Sequence, residues 1–311
     1  MRDAFAASLI ELGPAQPDIF VLDADCSHST RSYRFGELNP SAFLNVGIAE
    51  QNMMSMAAGL AMHAYIPFVC GFAAIMIARA GEQIIQSIAY PNLNVKIAGH
   101  YSGISASREG APHHAIADIA FLRAIPNMRI YSPADDADVA VLLQAAAEHR
   151  GPVYLRLARD AAPPIPGGRY EADREIRIWG GPCDVALVTT GAVTSEAIAA
   201  ANSLREIGVA TSVFSVLRLK PFPQQFWHER LSSCSLVVSI EEHNIIGGLG
   251  SAMAEMIAEL GLPIRHLRLG IQDRFTETGS YNELLDLFGL SADRIVESCL
   301  AALGLERGRI Q

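Results

Sequence analysis

Phe43-Leu44-Asn45-Val46-Gly47-Ile48-Ala49-Glu50-Gln51-Asn52 decides how the rest of the chain is read. It begins as a β-rich run, turns at Gly47, and enters a long segment rich in Ala and Met. Gly47 suits a backbone angle that a side chain would forbid. Glu50 falls in the first turn of a helix expected over 49–63, where negative charge suits the helix dipole. Met53, Met54, Met56, Ala57, Ala58, Leu60, Ala61 and Met62 leave that helix apolar almost all round. A surface helix would show one polar face, so the pattern predicts a buried helix that carries a buried carboxylate. Such a carboxylate is paired or used. A plain capping charge is the other reading, and the local sequence leaves both open.

Outward from this stretch, apolar strands alternate with helices. Strands are expected at 19–25, 43–46, 66–72, 93–98, 129–131 and 153–157, with helices over 2–12, 74–88, 114–124 and 134–149 between and around them. This alternation indicates an α/β fold with a mainly parallel sheet covered by helices on both faces. Ala161-Ala162-Pro163-Pro164-Ile165-Pro166-Gly167-Gly168 has the composition of a linker. A second alternation follows, with strands at 184–190, 209–216, 236–241 and 264–269, and helices over 193–206, 222–232, 248–260, 280–288 and 291–303. The expected organisation is two consecutive α/β domains, 1–160 and 183–311, joined by a linker over 161–182.

Composition narrows the function classes. The chain has 311 residues, 50% of them hydrophobic and only 18% charged, which implies large buried surfaces that include subunit interfaces. A net charge of -9 argues against nucleic-acid binding. No apolar run reaches the length of a membrane span, and Met1-Arg2-Asp3-Ala4 does not open a signal peptide, so a cytoplasmic protein is expected. Cys26, Cys70, Cys183, Cys234 and Cys299 are widely spaced without metal-ligand spacing, and read as buried free thiols of a reducing compartment. No metal site is expected in this chain.

Ligands of open α/β sheets bind beyond the carboxyl ends of the strands. Asp25, His28 and Ser29 follow one strand, Glu50 another, Phe72 a third, His100 a fourth and Arg159 the last of the first domain. The loop after His100 carries Arg108, Glu109, His113 and His114. Together these groups are expected to form a site for a polar, anionic substrate, with His100, Arg159 and Ser29 suited to phosphate or sulfonate oxygens. There is no G-x-G-x-x-G, P-loop, H-E-x-x-H or nucleophile elbow. Gly247-Gly248-Leu249-Gly250 is either a phosphate-holding helix start or, the favoured reading, a tight strand-to-helix turn.

Several runs carry a resemblance: Gly47-Ile48-Ala49-Glu50-Gln51-Asn52, Ala58-Gly59-Leu60-Ala61, Arg79-Ala80, Glu82-Gln83-Ile84, Leu122-Arg123-Ala124-Ile125-Pro126-Asn127 and Pro133-Ala134-Asp135. With Phe72 and His113 they resemble the C-terminal half of transketolase, from about residue 2 to 305. That half comprises the pyrimidine-binding and C-terminal domains. The related 1-deoxyxylulose-5-phosphate synthase and the β subunits of 2-oxo acid dehydrogenases share the architecture and stand as alternative readings, as does a non-catalytic paralogue. The family's first domain, which holds the diphosphate of thiamine diphosphate and its Mg²⁺ (or Ca²⁺) through a Gly-Asp-Gly…Asn motif, has no counterpart here. The resemblance therefore implies a split transketolase whose N-terminal subunit is a separate chain, assembling as an α2β2-type heterotetramer.

What the resemblance implies residue by residue is specific. Glu50 matches the glutamate that hydrogen-bonds the cofactor's pyrimidine N1′, Phe72 the aromatic that stacks on that ring, and Asp25 an acid near the thiazolium. His100 and His113 match histidines that contact substrate, and Arg159 a phosphate-binding arginine, with Arg2 and Ser29 as further phosphate contacts. Glu109 stands where the family has an Asp that touches a sugar hydroxyl. Two departures stand out. Ile75, with Ala78 nearby, replaces a second stacking aromatic, and Arg108 brings a cation into a loop that the family keeps acidic. Arg108 is therefore expected to serve the choice of sugar.

Overall fold

The computed structural model describes residues 1–171, 175–231 and 234–305. In chain order the strands of the first half are β1 (Ile19–Asp23), β2 (Phe43–Asn45), β3 (Ile66–Phe72), β4 (Lys96–His100), β5 (Arg129–Tyr131) and β6 (Val153–Leu157). Those of the second are β7 (Arg169–Glu171), β8 (Ile176–Trp179), β9 (Val185–Thr190), β10 (Thr211–Val216), β11 (Arg218–Lys220), β12 (Leu236–Asn244) and β13 (Arg265–Ile271). They form two sheets, ordered β11-β5-β6-β4-β3-β1-β2 and β13-β12-β9-β10-β8-β7. Every pairing among β1 to β6 is parallel, so their carboxyl ends point the same way. Strands β4 and β6 are buried along their whole length, as expected of a sheet covered on both faces.

The two halves are less separate than the composition implies. The segment expected as a linker supplies β7 and β8, which pair with each other and, through β8, with β10. In the opposite direction, β11 from the second half adds antiparallel to the edge strand β5 of the first sheet. Proline and glycine between residues 161 and 168 mark the crossing, but the apolar Ile176 to Trp179 run finds a half-filled sheet edge and joins it. Residues 172–174 and 306–311, inside the expected linker and the expected second domain, lie outside the described residues, as does Ser232, inside the helix expected over 222–232.

Other boundaries also move. The helix expected over 74–88 is divided into Ala73–Arg79, Gly81–Gln83 and a π-helical turn Ile84–Ala89. Strand β4 starts three residues and ends two residues later than expected, which brings His100 inside it. The helix expected over 114–124 starts only at Asp118. In the Glu50–Met62 helix, Met53, Met54, Ala57 and Ala58 pack into the core against Leu22, Val69 and Met76. The expectation of burial all round is corrected, because Gln51, Asn52, Ser55, Gly59 and Met62 face outward, with Met62 74% exposed. Leu44 and Tyr65 line an open apolar groove with Gly59 and Leu60 of this helix, and Ile48 is exposed as well.

A buried polar network joins the halves behind the strand ends. Asp118 accepts hydrogen bonds from the Tyr154 hydroxyl at 2.6 Å and from Arg156 Nε at 2.9 Å. Arg156 also donates to the Ala115 and Glu242 carbonyls, the latter in the second half. Tyr154 fits only because residue 99 is glycine; a Cβ there would come within 2.5 Å of the tyrosine ring. Among the described residues, no helix is long and apolar enough to cross a membrane.

Candidate active site

Strand β1 lies between β2 and β3, so the chain leaves it first toward one edge and then returns across it. Such a reversal opens a crevice at the carboxyl ends of the strands. The two acids that end β1 there have different tasks. Asp23 is fully buried and accepts hydrogen bonds from the Cys26 amide and from the Thr30 and Ser32 hydroxyls, which folds the following loop. Asp25 is exposed, at φ +59°, and is held by Asn45, whose side chain also accepts from the Gly47 amide. Gly47 itself has φ +76°, the left-handed geometry its position required.

Glu50 starts its helix and is only 7% exposed. Both its oxygens accept hydrogen bonds from Arg79 Nη1, at 3.0 and 3.1 Å. The choice between a capping charge and a paired carboxylate is thereby decided for the chain alone: Glu50 is paired. Arg79 is 54% exposed, so this ion pair sits at the open edge of the crevice. Phe72 ends β3, half-buried, with its edge to the Tyr101 ring at 4.6 Å and the His113 ring at 5.6 Å. His113 Nδ1 is buried without a hydrogen-bond partner among the described residues. Ile75 lies half-buried one turn beyond Phe72, and Ala78 is exposed.

The anion-binding residues gather around a side chain that the sequence analysis did not single out. Arg2 Nη1 donates to the Tyr101 hydroxyl at 2.8 Å and to the Ser29 carbonyl at 3.1 Å. The Arg159 guanidinium lies 5.4 Å from the Tyr101 ring centroid and 3.6 Å from Glu109. Arg2, Ser29, Glu109 and Arg159 are thus brought together, and Ser29 takes part through its backbone. His100 is not brought in. Its ring is fully buried, set edge-on to Phe5 at 4.9 Å, and both its nitrogens lack hydrogen-bond partners among the described residues. In the chain alone Tyr101, turning back at φ +61°, follows directly on the buried strand end that carries His100. Arg108 is exposed and within electrostatic reach of Glu283, in the capping box that starts the Tyr281–Leu287 helix. His114 bonds Thr276 and the Ser107 carbonyl, a use that ties the loop to the second half, and His28 packs on Tyr33.

Burial, with the Met1 ammonium and Arg2 adding to it, pushes the His100 pKa down to about 3. Its folded value therefore lies below its unfolded one, so the neutral ring's contribution to stability is complete above about pH 6.5. As pH falls from there toward 3, the unfolded chain takes up a proton that the folded chain refuses, and stability is lost. His243, pushed down to about 4 by burial, acts in the same sense. A His100→Leu chain is expected to lose less unfolding free energy between pH 7 and pH 4, by up to about 1.4 kcal/mol per pH unit. Urea unfolding across that range measures the slope, and parallel wild-type and variant curves would refute the assignment.

The family model described as "Transketolase, pyrimidine binding domain" matches residues 1–164, and that described as "Transketolase, C-terminal domain" matches residues 176–295. The chain belongs to the transketolase family. It is 38% identical to the "Putative transketolase C-terminal section" of Methanocaldococcus jannaschii, over 98% of this chain and 97% of that one. It is 36% identical to the "6-deoxy-6-sulfo-D-fructose transketolase subunit SqwH" of Clostridium sp. (strain MSTE9), over 96% and 92% of the two chains. A solved structure described as "Split gene transketolase, inactive beta4 tetramer" superposes with a TM-score of 0.86 at 40% identity, covering 98% of each chain.

The match to the C-terminal domain model starts at residue 176, the first residue of β8. In that domain the Gly247-Gly248-Leu249-Gly250 turn holds no room for a phosphate, because Glu241 already accepts from the Leu249 and Gly250 amides at 2.7 and 2.8 Å. Burial pushes the Glu241 carboxyl up to about 7 against those two bonds. Among the described residues of this transketolase-family chain, no three His, Cys, Asp or Glu side chains group to hold a metal ion. Cys26 is half-buried and the other four cysteines are buried, none of them in a disulfide, with Cys183 Sγ 3.3 Å from Cys234 Sγ. Tyr101 and Arg79 are the residues that sequence reasoning passed over. Arg79 stood in a motif quoted for family resemblance alone, and an aromatic directly after a strand-end histidine was the available signal for Tyr101.

Proposed function

We propose that this chain is the C-terminal subunit of a two-chain, thiamine diphosphate-dependent transketolase in the cytoplasm, moving a two-carbon ketol unit from an anionic ketose to an aldose. The observation that supports it most is the gathering of Glu50, Phe72 and His113 beside Arg2 and Arg159 at one end of one sheet. The similarity to chains described as transketolase sections or subunits, over nearly the whole length, is consistent with it. The residues present fit the pyrimidine half of the cofactor: a nearly buried carboxylate, a half-buried aromatic ring and, 5.6 Å from that ring, an imidazole with an unpartnered nitrogen. When bound, thiamine diphosphate supplies the nucleophilic carbon and the electron sink for cleaving and forming the carbon–carbon bond.

This chain's own residues then have assignable tasks. Glu50 holds a proton at the heterocycle's N1′, which requires Arg79 to release at least one carboxylate oxygen. Phe72, with Ile75 beneath the same face, fixes the ring, and Asp25 borders it. His113 takes or gives a proton at a substrate hydroxyl, and Glu109 accepts from another. Arg2 and Arg159, with the Ser29 loop, hold the substrate's terminal anion as charge-assisted donors. The diphosphate and Mg²⁺ fall to the N-terminal subunit. The uncovered face with Leu44, Ile48 and Met62 is where that subunit or a second copy packs in an α2β2-type assembly.

Purified alone, the chain is expected to leave a ketose phosphate unchanged. Mixing it with an N-terminal chain carrying Gly-Asp-Gly…Asn, Mg²⁺ and thiamine diphosphate is expected to start ketol transfer, followed by aldose consumption. Turnover by this chain by itself would overturn the two-chain reading. Decarboxylation of pyruvate by the mixture, without ketol transfer, would overturn the transketolase reading.

A further inference from the structure

Tyr101 is held in a conformation its residue type resists. A bulky side chain at φ +61° is an outlier that costs about 1–3 kcal/mol and persists only where the surroundings over-determine it. The surroundings here are functional residues. The ring is 2% exposed and takes the edge of Phe72 at 4.6 Å. Its hydroxyl accepts from Arg2 at 2.8 Å, and the Arg159 guanidinium lies over its face at 5.4 Å. Arg2 Nη1 donates to two neutral oxygens, the Tyr101 hydroxyl and the Ser29 carbonyl. Arg159 faces Glu109 at 3.6 Å, and the Tyr101 hydroxyl and Asp160 act on the same guanidinium.

We propose that Tyr101 is a positioning residue that spaces Arg2 and Arg159 into a cradle for a tetrahedral oxyanion at the far end of the substrate. The ring is too enclosed to meet a ligand itself, whereas Arg159 keeps 31% of its side chain exposed. Tyr101 also fixes how far the cradle stands from Phe72, and so the chain length between the reacting carbon and the anion. Phosphate and sulfonate share the chemistry that the cradle reads. The assignment rests on the transketolase reading for the substrate's identity, but the cradle itself is a property of this chain.

The test uses the assembled two-chain enzyme and the variant Tyr101→Phe, which keeps the ring and removes only the acceptor oxygen. Donors are D-fructose 6-phosphate, 6-deoxy-6-sulfo-D-fructose and the neutral L-erythrulose. The variant is expected to raise KM for the charged donors about tenfold more than for L-erythrulose, the size of one hydrogen bond to a charged group, with the effect in KM rather than kcat. The larger KM effect, on the phosphate or on the sulfonate donor, identifies which anion the cradle serves. Equal effects on charged and neutral donors, or none, would overturn the proposal. A second readout needs no turnover: inorganic phosphate is expected to raise the melting temperature of the wild-type assembly, and to raise that of Tyr101→Phe less. If no donor reacts while phosphate still stabilises the wild type preferentially, the transketolase reading fails and the cradle stands. If phosphate stabilises both assemblies alike, the cradle fails.

Discussion

A Glu50→Gln chain, assembled with the subunit that completes the site, is expected to turn over donor ketoses about 10²–10⁴-fold more slowly than the wild type. Glutamine keeps the size of the side chain and one oxygen that can accept from Arg79, so the local packing of a residue 7% exposed is preserved. What it loses is the ability to carry a transferable proton. The effect is therefore expected in kcat, with the fold and the binding of the N-terminal subunit intact, as read by circular dichroism and sedimentation. A variant within about tenfold of wild type would remove Glu50 from the chemistry and leave it a structural partner of Arg79. The ion pair gives the experiment a control. Arg79 is exposed enough to swing away, and Arg79→Gln leaves the carboxylate without its cation. If Glu50 were structural only, the two single variants would act alike; a proton-carrying Glu50 makes the first far more damaging to turnover than the second.

The other large effect concerns the joint between the halves. Asp118→Ala is expected to cost about 3–5 kcal/mol of stability, because it strands the Arg156 guanidinium in the interior. Both side chains are 1% exposed, and Asp118 takes the Tyr154 hydroxyl as well as Arg156 Nε. The remaining guanidinium bonds, to the Ala115 and Glu242 carbonyls, neutralise no charge. Urea unfolding followed by tryptophan fluorescence and circular dichroism measures the loss, and a change below about 1 kcal/mol would contradict the account. Replacing both partners together, Asp118→Leu with Arg156→Met, is expected to recover much of it, since an apolar pair needs no compensation. The loop that carries Glu109 and His113 leans on this joint. A Cβ at Gly103 would strike Glu242 at 2.7 Å, and one at Gly110 would meet the Thr278 hydroxyl at 2.7 Å. Weakening the joint therefore loosens substrate contacts as well as the fold.

Local pattern was sufficient to find the strands that build the first sheet, because β1, β3, β4 and β6 are largely apolar and nearly wholly buried, although the bounds of β4 moved. Gly47 and the strand-end placement of Asp25, Phe72 and Arg159 were legible for the same reason: a parallel sheet puts the residue after each strand on one side. The sequence also carried Glu50 into view, as a charge in an otherwise apolar helix. It could not show whether Arg79, 29 residues away, reaches that charge, since an ion pair across two helices depends on how the helices cross. Nor could it separate Asp23 from Asp25. One turns inward onto two hydroxyls and the other outward onto Asn45, a difference set by a single positive φ. The placement of β7, β8 and β11 was decided by which sheet edges were left open, a property of the assembled fold. The same holds at the centre of the site. By itself the sequence determined which chemical groups stand at the strand ends. Only the tertiary structure decided that His100 is enclosed and that Tyr101 gathers the arginines, because burial and spacing arise from packing among segments that the chain keeps far apart.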